Sequence, residues 1–289
     1  MKKLLLAFTC VCALILSLTL TSCKNGWITN VTTYYDNSEK YVVGTFDTEE
    51  KVTTLNIDWI CGDIDLVKKE DSTKIELKEY AELEDDLRVH SYFENGTYFV
   101  RFMKSGFRIV NLETEKKKLT VYYPADFENV VVKLTSGTFK TDKISCNELL
   151  VDITSGDVNI DEVSATNKLN VKLTSGDVNF NKVTSANILI SFTSGDVNMK
   201  NINTTELNAY LTSGDLNLDF ETVSKSYLEM TSGDIRLSFK ESGATVAIDK
   251  TSGDLHFNQY TDLGNQKYKI GNGEADFRIK LTSGDVYIK

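Results

Sequence analysis

A regular row of aspartates is the feature of this sequence best suited to chemistry. Each one closes a Thr-Ser-Gly-Asp tetrapeptide, which begins at Thr154 and recurs every 19 or 20 residues before a last interval of 31. Carboxylates repeated in this way can form a ridge that binds a cation such as calcium, or another ligand. The row consists of Asp157, Asp177, Asp196, Asp215, Asp234 and Asp254, with Asp285 at its end.

Physical chemistry leaves two interpretations of the aspartate row open. Neighbouring carboxylates ~4.8 Å apart repel each other by ~0.9 kcal/mol even in bulk water, so a bridging calcium ion would relieve the repulsion. Alternatively, each aspartate accepts backbone N–H bonds at its corner while solvent screens the charge. We favour the structural interpretation, and we predict no cofactor, with calcium as the alternative.

A second row, made of asparagines, follows two residues behind the aspartates. Stacked asparagine side chains form amide ladders that stabilise a repeat without binding a ligand. The row contains Asn159, Asn179, Asn198 and Asn217, and it then gives way to Arg236, His256 and Tyr287.

Apolar residues on both sides of each tetrapeptide predict the strands that position these rows. Leu169, Val171 and Leu173 alternate with polar residues before one tetrapeptide, and Val178 and Phe180 do so after it. Leu173 and Val178 are five residues apart, so strict alternation cannot place both inside. The Ser-Gly pair must absorb the extra residue as a corner, because glycine tolerates the required φ. The predicted corner glycines are Gly137, Gly156, Gly176, Gly195, Gly214, Gly233, Gly253 and Gly284.

The fixed period predicts an all-β fold, a flattened parallel β-solenoid with one repeat per rung. Two strands and two corners account for 19 or 20 residues at ~3.3 Å per strand residue. The regular rungs cover residues 130–289, and residues 50–129 form a β-rich, diverged start in which Cys61-Gly62-Asp63 resembles a corner. We expect the rungs to stack in chain order, with an inward column of Val158, Val178, Val197, Leu216, Ile235 and Leu255.

The first 22 residues predict a lipoprotein signal peptide. Lys2 and Lys3 precede an apolar run, and the run ends in Leu20-Thr21-Ser22-Cys23, which resembles a bacterial lipobox. Cys23 would then carry acyl chains, each methylene of which contributes ~0.8 kcal/mol on burial in the bilayer. Residues 23–49 lack clear periodicity and predict a tether between the membrane and the domain.

Two cysteines remain after the leader and the anchor are set aside. Cys61 and Cys146 lie in different parts of the sequence. An exported chain could join them, but sequence does not show whether their Cα atoms approach within bonding range. Whether they form a disulfide therefore stays open.

Catalysis finds little support in the sequence. His90 and His256 stand on separate segments, so neither has an evident partner as a general base. Ser-Gly-Asp lacks the flanking glycines of a nucleophile elbow. The run Lys116-Lys117-Lys118 is typical of the solvated start of a strand. We therefore predict that the protein is not an enzyme.

Several short segments accompany the Ser-Gly-Asp series in a fixed order. They are Ile57-Asp58-Trp59-Ile60 with Gly62-Asp63-Ile64, Leu119-Thr120-Val121 with Pro124, Gly271-Asn272-Gly273, and Leu281-Thr282-Ser283-Gly284-Asp285-Val286. With them the chain resembles the putative-adhesin family of bacterial envelope proteins, a domain of unknown function with a toast-rack β-solenoid. The resemblance covers residues 41–289, and it implies an exported, non-enzymatic β protein. Cys61, Thr138 and Lys250 depart from the repeat pattern.

These observations predict a lipid-anchored protein of the bacterial cell envelope, an adhesin-like interaction or scaffold module that presents stacked polar faces. One alternative is an envelope-stress or signalling accessory lipoprotein, and another is a carbohydrate-active β-solenoid enzyme. The expected partners are the membrane, through the N-terminal lipid, and an envelope or extracellular protein or glycan. The net charge of −10 argues against nucleic acid, whose phosphates require a surplus of basic residues.

Overall fold

A computed structural model of the protein describes residues 27–80, 82–240 and 243–289. Short 3-10 turns lie at Ser38–Lys40, Asp85–Leu87 and Thr114–Lys117. Over these residues the chain offers no helix of the length and hydrophobicity needed to cross a bilayer. The strands are β1 (Trp27–Thr33), β2 (Val42–Val43), β3 (Thr54–Cys61), β4 (Ile64–Lys68), β5 (Glu76–Glu79), β6 (His90–Glu94), β7 (Thr97–Arg101), β8 (Gly106–Glu113), β9 (Leu119–Tyr123), β10 (Asn129–Ser175), β11 (Val178–Ser194), β12 (Val197–Ser213), β13 (Leu216–Thr222), β14 (Lys225–Ser232), β15 (Ile235–Phe239), β16 (Ala244–Lys250), β17 (Leu255–Phe257), β18 (Thr261–Gly264), β19 (Lys267–Ile270), β20 (Ala275–Ser283) and β21 (Val286–Ile288).

The repeats form the rungs of a parallel β-solenoid, which confirms the predicted fold class. In each rung the chain follows a first wall, turns at Ser-Gly-Asp and continues along a second wall. The long strands β10, β11 and β12 pass from the second wall of one rung to the first wall of the next. Equivalent residues pair in register, Val158 with Val178 and Val178 with Val197.

The core fills the space between the two walls. Side chains alternate along each strand, so that Val178 and Phe180 are buried while Asn179 between them is exposed. Burial of an aliphatic or aromatic side chain of this size contributes ~1.5–3 kcal/mol. Because each rung adds several such residues to the same column, stacking supplies most of the stability of the fold.

Glycine is required at the corner by two separate constraints. Gly176 has a φ of 128°, in the region that residues with a side chain rarely adopt. A Cβ on Gly176 would also overlap the carbonyl oxygen of Gly156 in the preceding rung. The same contact recurs at each step of one column, which runs Gly62, Gly137, Gly156, Gly176, Gly195, Gly214, Gly233, Gly284 and Gly253.

The end of this column shows that the predicted stacking in chain order is wrong. Ile235 pairs with Val286, and Leu255 pairs with the other edge of Val286. The last rung of the sequence, β20 and β21, therefore lies between the rung of β14 and β15 and the rung of β16 and β17. The last interval of 31 residues makes this insertion possible, because it contains the β18–β19 hairpin. The chain passes beyond the terminal rung, covers the outer edge of β16 with β19, and returns.

The N-terminal end of the stack is built in the same way. The first rung of the sequence, β3 and β4, lies between β10 on one side and β7 with β9 on the other. Gly62 occupies the corner of this rung and donates its N–H to the carbonyl oxygen of Ser136 at 3.0 Å. The outer edges are covered by antiparallel strands, since β6 pairs with β7 and β5 with β9.

The predicted tether over residues 23–49 differs from the structure from Trp27 onward. β1 pairs with β8 in an antiparallel ribbon, and Val31 on β1 is buried in the core. β2 pairs with β6. The sequence of β1 does not alternate between apolar and polar residues, β2 has only two residues, and the partners of both strands lie far along the chain. The predicted signal peptide and Cys23 lie outside the described residues.

Lys117 is buried beneath the N-terminal cap, the name we give to strands β1, β2 and β5 to β9. Lys116 and Lys118 are 43% and 41% exposed, so the predicted solvated strand start is wrong for Lys117 alone. Its ammonium lies 2.5 Å from the carboxylate of Glu79 and 4.7 Å from the ring centroid of Trp59. It also donates to the carbonyl oxygen of Leu87 at 2.8 Å. Burial lowers the pKa of Lys117 to about 8, although Glu79 opposes the shift. The run thus supplies one internal cation that joins three segments of the cap.

Cys61 and Cys146 are both buried and are not bonded to each other. Cys61 pairs with Ser136 at a corner of the first wall. Burial raises the pKa of the Cys146 thiol to about 12, which keeps that thiol protonated and unreactive at neutral pH. The question of a disulfide, open from sequence, is thus answered, because no disulfide joins the two cysteines.

Candidate functional site

The aspartates form a continuous hydrogen-bonded ladder along one corner of the solenoid. The Oδ1 atom of each aspartate accepts the backbone N–H of the aspartate in the next rung. The donor–acceptor distances, in stack order, are 3.0 Å from Asp177 to Asp157, 2.9 Å from Asp196 to Asp177, 2.8 Å from Asp215 to Asp196, 3.0 Å from Asp234 to Asp215, 3.0 Å from Asp285 to Asp234 and 2.8 Å from Asp254 to Asp285. Asp285 therefore lies inside the row, between Asp234 and Asp254, and does not end it.

This ladder gives the aspartates a structural role, because it joins adjacent rungs. A hydrogen bond from an N–H to a carboxylate is charge-assisted and stronger than one between neutral groups. One oxygen of each of the six accepting carboxylates is thereby engaged. The Oδ2 atoms of Asp215, Asp234 and Asp285 also accept bonds, from Arg236 and Tyr287. The diverged first rungs use the same contact, because Asp63 accepts the N–H of Thr138 at 3.0 Å.

The asparagines form a parallel ladder of side-chain amides. Asn179 donates to Asn159 at 3.1 Å, Asn198 to Asn179 at 3.2 Å and Asn217 to Asn198 at 2.8 Å. Asn179 and Asn198, in the middle of the row, both donate and accept along it, as the amide geometry allows. In these middle rungs, therefore, the outward polar groups largely bind one another.

The pattern changes where Arg236 replaces asparagine. Its guanidinium donates to Asp215 and to Asp234, at 2.7 Å each, and its carbon lies 5.1 Å from the ring centroid of Tyr287. Burial alone would raise the pKa of Asp215, but the N–H of Asp234 and the guanidinium outweigh it and leave that pKa below its ordinary value. A cation on two carboxylates and over an aromatic ring is a rigid arrangement.

Tyr287 and His256 continue the row beyond Arg236 as a ring stack. Their rings lie 4.5 Å apart with an interplanar angle of 12°. The Tyr287 hydroxyl donates to Asp285 at 3.1 Å, and Nε2 of His256 lies 3.7 Å from the same carboxylate. The N–H of Asp254, the Tyr287 hydroxyl and His256 together lower the pKa of Asp285. We call Arg236, Asp254, His256, Asp285 and Tyr287 the terminal cluster.

An open cleft of ≈ 370 Å³ adjoins the terminal cluster. Phe257 lies 4.9 Å from Tyr260 and 4.8 Å from Tyr268, measured between ring centroids. Tyr260 is 53% exposed, and Leu263 nearby in the hairpin is 51% exposed. The residues around the cleft are Leu255, His256, Phe257, Asn258, Tyr260 and Tyr268. Aromatic faces and a few charged groups thus meet at the C-terminal end of the stack.

Three potential metal ligands also meet there. One ligand atom each of Asp254, His256 and Asp285 lies within 4.8 Å of the others. The groups are exposed or half-exposed, and Asp285 already accepts the N–H of Asp254 and the Tyr287 hydroxyl. No observation tests whether calcium binds along the whole row, so the alternative of a calcium ridge stays open.

The sequence indicated the members of the two rows but not the terminal cluster. His256 and Tyr287 come together only because the last rung is inserted. In the sequence, this insertion is indicated by the interval of 31 residues alone. The aromatic cleft depends on the hairpin and had no sequence pattern. His90, the other histidine, is buried in the N-terminal cap, where its Nδ1 lies 2.9 Å from the carbonyl oxygen of Arg88.

Comparison with known proteins gives a family and a fold. A family model described as Toastrack DUF4097 matches residues 64–289. A crystal structure from Bacteroides fragilis, described as a putative adhesin, is 14% identical with a TM-score of 0.51, over 83% of this chain and 93% of that chain. A structure from Clostridium sporogenes, described as a putative cell adhesion protein, is also 14% identical over the same shares, with a TM-score of 0.24. No curated protein matches. At these identities the structural likeness shows the fold alone.

Proposed function

We propose that this chain, which belongs to the Toastrack DUF4097 family, is a non-enzymatic, lipid-anchored module of the bacterial cell envelope that binds a glycan through the terminal cluster. The leader and Cys23 support export and anchoring, since their residue types follow the order of a lipoprotein signal. The Bacteroides fragilis neighbour, described as an adhesin, is consistent with a role at the surface.

The observation that carries the proposal is the break in the outward row. In the middle rungs the asparagine amides bind one another and the aspartates accept N–H bonds, which leaves these groups a structural role. At Arg236, Tyr287 and His256 the ladder is replaced by three different side chains in adjacent rungs. A place where a repeat departs from its own pattern and exposes rings and charges is the best candidate for recognition.

A glycan fits the chemistry of this place. Exposed aromatic rings such as Tyr260 and His256 offer flat faces to the C–H faces of a sugar ring. Asp254 can accept sugar hydroxyl groups, and the remaining N–H groups of Arg236 can donate to them. An open cleft with a few polar groups that fix orientation is typical of ligand sites.

Binding without hydrolysis agrees with the arrangement of the titratable groups. Glycosidases need two carboxylates in unlike environments, one of which stays protonated as the acid. In the row, Asp215 and Asp285 both have pKa values below the ordinary value, so both favour the ionised form. The pKa of His90, at the other end of the stack, is lowered by burial.

Two measurements on the full-length chain test the absence of glycan hydrolysis and the presence of the lipid anchor separately. Incubation with a panel of envelope and extracellular glycans should release no new reducing ends; release that disappears in Asp285→Asn would contradict a binding-only role. Metabolic palmitate labelling should mark the wild type and not Cys23→Ala. Equal labelling of both would contradict the anchor.

A further inference from the structure

We propose that the N-terminal cap lies against the surface of the membrane that holds the acylated Cys23, through two exposed aromatic side chains, Tyr34 and Phe107. We call these two residues the cap face. The inference rests on the lipid anchor of the proposed function. It adds the orientation of the solenoid and a second membrane contact.

The length of chain between the anchor and the fold is short. The described residues begin at Trp27, the first residue of β1, four residues after Cys23. Four Cα–Cα steps reach at most about 14 Å. β1 cannot extend this reach by detaching freely, because it pairs with β8 along its length and buries Val31. The cap that contains β1 is therefore held next to the bilayer.

The cap face consists of two large aromatic side chains that are exposed to solvent. Tyr34 is 78% exposed and Phe107 is 59% exposed. They stand at the same end of the β1–β8 ribbon, where Thr33 pairs with Gly106. Water contact with such side chains is unfavourable, and burial at a membrane surface would remove it.

A cluster of half-buried rings begins at Tyr35, the residue after Tyr34. Tyr35 lies 4.7 Å from Tyr41, Tyr41 lies 5.3 Å from Tyr92, and Tyr92 lies 6.4 Å from Phe99, between ring centroids. The Tyr35 hydroxyl donates to the carbonyl oxygen of Met103 at 2.7 Å. These contacts hold the backbone next to Tyr34 in place. Tyrosine is enriched at the membrane–water interface because it has an apolar body and a polar tip.

The charges around the cap favour an apolar contact over an electrostatic one. Lys40 pairs with Glu94 at 3.1 Å, and Lys104 pairs with Asp86 at 3.0 Å. The whole chain has a net charge of −10, which disfavours adsorption to anionic headgroups. The contact should therefore form on uncharged phosphatidylcholine and persist when salt is added.

Depth-dependent fluorescence quenching tests the contact on the full-length, lipidated protein in phosphatidylcholine vesicles with brominated acyl chains. Phe107→Trp places a probe on the cap face. Tyr210→Trp is the matched control, since Tyr210 is 42% exposed in the middle of the stack. Both are made with Trp27→Phe, which leaves the buried Trp59 as a common background. The probe at 107 should be quenched at least about twofold more than the probe at 210, because only the first reaches the interface.

Mass spectrometry of the same preparation reports acylation of Cys23 separately. Acylated Cys23 with equal quenching of the two probes would overturn the cap contact and leave the anchor intact. An unmodified Cys23 would overturn the anchored function, and the cap contact with it. Quenching that disappears in high salt would overturn the apolar basis of the contact.

Discussion

The backbone N–H of Asp254 donates to the carboxylate of Asp285 at 2.8 Å, although Asp285 follows it by 31 residues. The backbone N–H of Asp285 in turn donates to the carboxylate of Asp234, 51 residues earlier, at 3.0 Å. One aspartate thus joins two rungs that would be neighbours in a stack built in chain order. The terminal cluster exists because of this insertion.

Cross-linking should report the inserted rung directly. Ser232 pairs with Ser283 across adjacent strands, so their Cα atoms lie ~4.8 Å apart, within the range for a disulfide. Ser232→Cys with Ser283→Cys should therefore form a bond under mild oxidation, seen as a mobility shift without reductant. Ser232→Cys with Ser252→Cys is the control, because one rung separates them and ~9.6 Å is too far. Bonding of the control pair alone would mean that the rungs stack in chain order.

The corner glycines should not tolerate a methyl group. Gly176→Ala introduces a Cβ that overlaps the carbonyl oxygen of Gly156, at a φ of 128°. We expect the free energy of unfolding to fall by about 3 kcal/mol or more, measured by urea denaturation. Gly106→Ala is the matched control, since its φ is 133° but its Cβ would meet nothing within 4 Å. Equal losses in the two variants would show that backbone strain, and not stacking, sets the requirement.

The buried pair of Lys117 and Glu79 should make stability depend on pH. The pKa of Lys117 is about 8 in the fold and 10.5 in its ordinary state. Between these values the unfolded chain binds more protons, so the free energy of unfolding should rise with pH from about 8. The rise should end near pH 10. There the unfolded chain loses tyrosine protons that the fold retains, since burial raises the pKa of Tyr35 and Tyr98 to about 12.

Variants of this pair separate charge from packing. Lys117→Met leaves Glu79 buried without its partner and should cost about 3–5 kcal/mol at pH 7. Lys117→Met with Glu79→Gln should recover most of that loss, because the amide oxygen of the introduced glutamine can still accept the N–H that Val89 donates to Glu79 at 2.8 Å. Thermal melts at several pH values should show no rise between pH 8 and 9.5 in either variant. If stability still increased between pH 8 and 9.5 without Lys117, the increase would have to come from the titration of another group.

Calcium should have little effect on the aspartate row. Six carboxylates of the row already accept an N–H through one oxygen, and Arg236 neutralises two of them. Melting temperatures in calcium and in chelator should differ by less than about 1 °C, since a cation that binds only the folded state would raise them. A large increase with calcium that is absent in Asp177→Asn would instead establish a cation ridge.

The local features of the fold could be predicted from sequence because they depend on neighbours in the chain. Alternation sets which side chains face inward, and the odd spacing of Leu173 and Val178 predicts a corner at Gly176, where the chain does turn. Stack order could not be predicted. Leu255 and Val286 are both aliphatic, and either would pack well against Ile235.

Contacts between distant segments account for the other differences. The strands β1 and β2 are recognisable only through β8 and β6. The burial of Lys117 depends on Glu79, 38 residues earlier in the chain. The terminal cluster has the same origin, since Tyr287 reaches His256 only after the hairpin has turned the chain back.

The proposed function is tested most directly by extending the asparagine ladder through the terminal cluster. Arg236→Asn, His256→Asn and Tyr287→Asn, combined in the full-length lipidated chain in detergent, give these rungs the residue found at Asn179, Asn198 and Asn217. Binding to a panel of peptidoglycan fragments, lipopolysaccharide cores and extracellular oligosaccharides is then measured beside the wild type. We predict that the wild type binds at least one glycan class and that the variant, with an unchanged melting temperature, loses about tenfold or more in affinity. Equal binding by the two proteins, or no glycan binding by the wild type, would contradict the account.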